Sequence, residues 1–187
     1  GVAAGFLGAK DVVLDRVRRT GVLRVGMDAS YPPFEWVDDG GAYYGYDVEL
    51  AAALASRLGA KPEFVDVSFD GLYDALVADK FDVILSALPY DQTMTRDLVY
   101  SRTYFDAGLV LVAPRDGPPL TAVSELAGST VAVELGSAGH QQARLLQRDQ
   151  ALELTILPVR ELGEVPQAVE AGEADVCLCD RVTAAHW

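Results

Sequence analysis

A chain of 187 residues that is 50% hydrophobic and 23% charged has apolar surface for one large core or two small ones, which excludes a disordered tail. Its formal charge of −13 excludes nucleic acid and anionic membrane as favoured partners, because both reward Lys and Arg. The apolar patch from Val2 to Ala9 is too short to span a bilayer and lacks the basic start of a signal peptide, so it reads as the remnant of a linker or of a removed anchor.

Asp11 to Arg19 carries Val12, Val13 and Val17 among charges and stops at Gly21, which predicts a short leading helix. Leu23 to Met27 is an apolar strand that ends in Asp28, Ser30 and Tyr31, after which Pro32 and Pro33 hold the chain extended. An acid, a hydroxyl and an aromatic ring at the carboxyl end of a strand read as a small-molecule site. Asp38 to Gly41 makes a turn, and Asp47 is expected to N-cap a helix in which Val48, Ala51, Ala52, Ala55 and Leu58 recur at helical spacing before Gly59. A strand at Glu63 to Val67, a turn at Phe69-Asp70-Gly71 and a short helix at Leu72 to Ala78 follow. Asp82 to Leu88 is a near-continuous apolar run, expected to be a central strand buried on both faces.

Tyr104 to Ala113 is predicted to cross between two lobes, and Pro114 to Pro119 is a loop after which the pattern restarts. Strands at Val131 to Leu135, Leu154 to Pro158 and Val176 to Cys179 then alternate with helices at Gly139 to Arg148 and Leu162 to Ala171. Strands alternating with helices imply mainly parallel sheets. Neither an internal repeat nor a low-complexity stretch stands out. Domain boundaries fall at residues 1–20 for a leading segment and helix, 21–107 for lobe 1 and 108–187 for lobe 2.

Catalytic motifs are scarce. Phosphate loops, dinucleotide fingerprints, H-E-x-x-H and C-x-x-C are all missing, so no cofactor or metal is implied. His140 and His186 read as solvated or loosely packed. Cys177 and Cys179, two apart on a strand, face the same side in a geometry poor for a disulfide, and read as small buried hydrophobes ahead of metal ligands.

LRVGMDASYPPFEW, YGYDVELAAALASRLG and FDGLYDALVADKFDVILSALP resemble the first lobe of the type-3 periplasmic solute-binding proteins, the amino-acid receptors of ABC importers. The resemblance continues through YFDAGLVLVAP, SELAGSTVAVELGSAG and EAGEADVCLCDRVTA, and covers the chain from about Leu14 onward. It implies an α/β fold of the periplasmic-binding-protein type II kind, with two α/β lobes around a cleft. It also implies that the second lobe and the return to the first are truncated at Trp187, and that the setting is extracytoplasmic, in the periplasm or anchored to the outer face of the cytoplasmic membrane.

Laid over the family motifs, Asp28, Tyr31, Phe69, Ser86, Ser137 and Asp180 fall on pocket positions, with Ala87 and Leu88 beside Ser86. The resemblance assigns the ligand's α-ammonium to Asp180, its side chain to Asp28 and an aromatic sandwich to Tyr31 and Phe69. The corner Gly136-Ser137-Ala138-Gly139 would turn N–H groups and a helix dipole towards the ligand carboxylate, or serve simply as a strand-to-helix turn. One departure is informative. The family has Thr or Ser three residues after the strand-end serine and a carboxylate-clamping Arg five further on, where this sequence has Pro89 and Met94; Arg96 is out of register. Glu134 adds a third acid. The expected ligand is therefore an amine-containing small molecule, a cationic amine or an amino acid, passed to the membrane permease of an ABC transporter. A ligand-sensing domain of a signalling receptor, or a dehydratase of the same fold using Asp28, Glu134 or Asp180 as general acid, are the alternatives.

Overall fold

The computed structural model describes residues 11–94, 98–117, 120–149 and 151–187. The chain forms two compact units, one made of residues up to Val67 with Leu72–Ser86, the other of Ser68–Gly71 with Ala87–Trp187. Residues 87–107 thus group with the second unit.

In the first unit, helix α1 (Val12–Thr20) starts at Asp11, whose side chain accepts the Leu14 N–H, and ends at Gly21 in the left-handed conformation, as the sequence predicts. Strand β1 (Val22–Met27) follows. Its alternation decides the packing: Leu23, Val25 and Met27 join Val17 of α1 and the buried Ala51 and Ala55 of helix α2 (Tyr46–Arg57) in one core. On the opposite face Gly26 lies against Phe81, whose ring atoms would stand only 2.3 Å from an added Cβ.

Between β1 and α2 the chain forms a small antiparallel sheet, β2 (Ser30–Tyr31), β3 (Glu35–Val37) and β4 (Tyr43–Tyr44), which the sequence analysis does not anticipate. Pro32 and Pro33 do not hold the chain extended. The Phe34 N–H donates to Tyr31 O at 2.9 Å, so the dipeptide lies in a turn that reverses the chain and pairs Tyr31 with Glu35. Asp47 is not an N-cap either. Gly45 occupies that position, and Asp47 sits one residue inside α2 with its carboxylate fully buried.

The main sheet of this unit has the order β5-β1-β6, with β5 (Lys61–Asp66) and β6 (Val83–Ile84) both parallel to β1. Helix α3 (Leu72–Val77) lies between β5 and β6 in the chain. The run from Asp82 to Leu88 is therefore not a central strand: only two of its residues pair, and β1 is the strand with neighbours on both sides.

The second unit carries a four-stranded sheet ordered β7-β10-β8-β9, made of β7 (Leu109–Val112), β8 (Thr130–Glu134), β9 (Thr155–Val159) and β10 (Val176–Asp180). β8 pairs in parallel with β9 and β10, while β7 runs antiparallel to β10. Side-chain alternation sends Val131 and Val133 of β8 into a core with Ala143 and Leu146 of helix α4 (Ala138–Asp149), and Ala132 into a second core with Val165 and Ala168 of helix α5 (Glu164–Glu170). Pro158 is tolerated because β9 is an edge strand. The expected crossing strand shrinks to Leu109–Val112: Gly108 takes φ +64° and donates its N–H to the Asp106 side chain, a corner that a continuous strand would not allow. A last helix, α6 (Arg181–His186), follows β10. No helix among the described residues is long and apolar enough to cross a membrane.

The first unit is tied together by Asp82, whose side chain is 1% exposed and accepts from the Arg24 N–H at 2.9 Å, the Arg24 guanidinium at 2.8 Å and Arg16 of α1. Replacing it takes the buried anion from two half-buried guanidinium groups and leaves them the exposed Asp79, which pairs with both. Asp82→Ala is expected to cost about 3 kcal/mol of unfolding free energy in urea titration.

Candidate functional site

In the first unit the carboxyl end of β1 meets a buried polar chain. The Asp28 N–H donates to Ser86 Oγ at 3.0 Å, and the Ser86 hydroxyl donates to Glu35 Oε1 at 2.8 Å. Ser86 and Glu35 have no exposed surface. Burial first, then the Asp47 carboxylate beside it, raise the Glu35 carboxyl from its ordinary 4.5 to about 9, so near neutral pH it is an uncharged acid hydrogen-bonded with Asp47. α2 is held to this place by its own first turn, where the Tyr46 and Asp47 N–H groups donate to Pro33 O and Phe34 O. Asp28 accepts the Ser30 hydroxyl, and Tyr31 stacks on Phe34 with centroids 5.1 Å apart. The structure thus brings Asp28, Ser86 and Tyr31 to one end of β1 and adds Glu35 and Asp47.

The second unit gathers a different set. A concavity at the carboxyl ends of β8 and β10 is lined by Glu134, Ser137, Gly139, Cys179 and Asp180, with Leu162 and Val165. Close approach builds it: a Cβ on Gly139 would stand 2.1 Å from Leu178 O, so only glycine lets the first turn of α4 rest on β10. Ser137 caps α4 by accepting the His140 N–H at 3.2 Å, and the Gly136 N–H donates to His140 Nδ1 at 3.0 Å. His140 is therefore not solvated. It is 6% exposed, and burial, reinforced by Arg144, lowers its pKa and keeps the imidazole neutral enough to accept that bond. Asp180 caps α6, Oδ1 accepting the Thr183 N–H at 2.9 Å and Oδ2 the Thr183 hydroxyl. Phe69 lies in a 3₁₀ turn with its ring 3.8 Å from a Cβ built on Gly136. Cys177 and Cys179 are both buried, and a hydrogen bond between the two thiols, then burial, push the Cys179 thiol up.

Ala87 adopts φ +43°, Leu88 lies in the following loop, and Met94 ends a 3₁₀ turn over Gln92–Met94; Arg96 falls outside the described residues, as do Pro118, Pro119 and the patch from Val2 to Ala9. No cluster of metal-ligating side chains occurs among the described residues. Glu35 and Asp47 are what the sequence analysis missed. The available signal was slight, an acid directly after the buried Phe34 on a strand too short to show alternation, since both Trp36 and Val37 are exposed.

The Glu35 proton makes stability depend on pH. The unfolded chain loses it near 4.5 and the folded chain near 9, so folding takes up a proton between these values. The stabilisation is complete below about 4.5 and lost as pH rises through about 9. Glu35→Gln keeps a neutral group there. The difference in unfolding free energy, wild type minus E35Q, is expected to fall with pH across that window by up to about 1.4 kcal/mol per unit, measured by urea denaturation at a series of pH values.

Residues 23–176 match the family of bacterial extracellular solute-binding proteins, family 3. The chain is 27% identical over 162 residues to the arginine-binding extracellular protein ArtP of Bacillus subtilis, covering 87% of this chain and 62% of that protein. It is 30% identical over 195 residues to the cyclohexadienyl dehydratase of Pseudomonas aeruginosa, covering 98% and 68%. Its fold matches the crystal structure of the ancestral amino-acid-binding protein AncCDT-1, a precursor of cyclohexadienyl dehydratase, with a TM-score of 0.80 at 34% identity over 92% of this chain and 76% of that one. The chain thus spans about two thirds of the length of the curated relatives it matches. With a mainly parallel sheet in each unit and a family match over most of its length, the chain belongs to the bacterial extracellular solute-binding proteins, family 3, and has the periplasmic-binding-protein type II fold.

Proposed function

We propose that this chain is the ligand-binding portion of an extracytoplasmic solute-binding protein that captures a small amine-bearing molecule, a cationic amine or an amino acid, for the membrane permease of an ABC importer. The observation that carries this reading is the concavity of the second unit, where Glu134 and Asp180 stand beside the Ser137 corner at the start of α4. Two carboxylates suit an ammonium or guanidinium group, and a helix start tolerates a carboxylate. In the first unit, taken by itself, Asp28 and Tyr31 place an acid and an aromatic ring, groups with the same preference for a cation, at the end of β1. ArtP, by its name, binds arginine. The Met94 position, where the family pattern has its clamping Arg, favours ligands that do not need a free α-carboxylate.

The similarity to a dehydratase favours a second reading, in which a carboxylic acid protonates a leaving hydroxyl. Such an acid must be protonated at working pH and reach the substrate. Glu35 meets the first condition and, fully buried, fails the second. Glu35 is thus not that acid, and because ArtP and the ancestral neighbour are binding proteins by name, we infer binding ahead of catalysis at Asp28, Glu134 or Asp180.

A thermal-shift panel of agmatine, cadaverine, L-arginine, L-lysine and L-alanine tests the ligand class. A probe at a hundred times its dissociation constant adds about 2.7 kcal/mol, which is several degrees for a chain of this size. Agmatine and cadaverine are expected to shift the transition at least as far as their parent amino acids. A shift with the amino acids alone would overturn the amine preference, and no shift with any cation would overturn the ligand class.

A further inference from the structure

The end of β1 that presents Asp28 is not held by β1 alone. The Val67 N–H donates to Met27 O at 3.0 Å and the Leu85 N–H to Gly26 O at 3.1 Å, and there the regular pairing of β1 stops. Beyond it, the Asp28 N–H depends on a side chain, the Ser86 hydroxyl. A serine hydroxyl has one proton and two lone pairs and rotates freely unless its proton is held. Here the proton goes to Glu35 Oε1, which fixes the rotor and keeps a lone pair aimed at the Asp28 N–H. Glu35 in turn is flanked by Asp47 from the first turn of α2 and by Asp28 itself, the two carboxylates whose charges act on it. Three segments, the end of β1, the start of β3 and, 51 residues further on, Ser86 just past β6, therefore meet at one buried hydroxyl.

We propose that Glu35 is a positioning residue for Asp28: through Ser86 it fixes the Asp28 amide, and with it the Asp28–Ser30 corner, in the orientation that meets a ligand. It touches no ligand, since it has no exposed surface. The ligand part of this inference rests on the function proposed above; the positioning part does not.

Amide hydrogen exchange followed by NMR tests it without ligand, taking the Val67 N–H as the internal reference for opening at the end of β1. In Ser86→Ala, and in Glu35→Ala at a temperature where it is folded, the Asp28 amide is expected to exchange at least about tenfold faster relative to Val67 than in the wild type. In Glu35→Gln, whose carboxamide accepts from Ser86 and donates to Asp47, the ratio is expected to stay within about threefold. An unchanged Asp28-to-Val67 ratio in folded Ser86→Ala would overturn the proposal, as would a Glu35→Gln ratio as large as that of Ser86→Ala. Titration of the same proteins with agmatine and L-arginine separates the two inferences. Weaker binding in Ser86→Ala by about tenfold, with Glu35→Gln near wild type, supports both. Absence of binding in every protein, with the exchange pattern as expected, removes the ligand class and leaves the positioning role in place.

Discussion

Placing a carboxyl group out of reach of water is costly unless it is neutralised or hydrogen-bonded, and the first unit does both at Glu35. The proton it retains lets it sit beside the buried Asp47 carboxylate, where two charged acids would repel. Its Oε1 takes the Ser86 proton, which leaves the serine oxygen to accept the Asp28 N–H. Much of the local architecture follows from this constraint. The Pro32-Pro33 turn exists to bring Glu35 back beside Tyr31, and the N–H groups of Tyr46 and Asp47 seat α2 on the carbonyls of that turn. A buried polar network of this kind is demanding, because low local dielectric strengthens each hydrogen bond made and raises the cost of each one missed.

The second unit reaches a comparable result by backbone contact. Gly139 lets α4 rest on the Leu178 carbonyl, closer than any side chain permits. That contact puts the Ser137 corner next to Asp180 and Glu134. His140, neutral and buried, closes the turn by accepting the Gly136 N–H. Asp180 serves two ends at once, capping α6 while lining the concavity. Both of the unit's acids that bear on the proposed ligand are thus held by secondary-structure ends, the places where backbone groups lack partners.

Reading the residues in order recovers most of the regular elements, because helices and strands announce themselves by period. Asp11 and Gly21 bracket α1, and the alternation of Val131, Ala132 and Val133 distributes β8 between two helices. It recovers less where two residues suffice for a strand. β2 and β4 have two residues each, too few to show alternation; β2 pairs with β3 across the Pro32-Pro33 turn, and β4 pairs with β3 across the turn at Asp38–Gly41. The run from Asp82 to Leu88 looked central because it is apolar, yet hydrophobicity reports burial and not the number of paired neighbours. His140 looked solvated because nothing local marks the Gly136 amide as its partner.

By itself, the sequence determined the alternation of strand and helix, the family motifs from LRVGMDASYPPFEW to EAGEADVCLCD, and the acids at strand ends, because each is a local pattern of side-chain chemistry and spacing. Tertiary structure decided which acids are open and which are buried. Asp28 and Glu35 are seven positions apart and chemically alike, but one stands just past the carboxyl end of the central strand β1 and the other points inward beneath a turn, against Asp47 and Ser86. Only contacts between segments distant in the chain set the local dielectric and the neighbouring charges, and these determine whether a carboxyl keeps its proton.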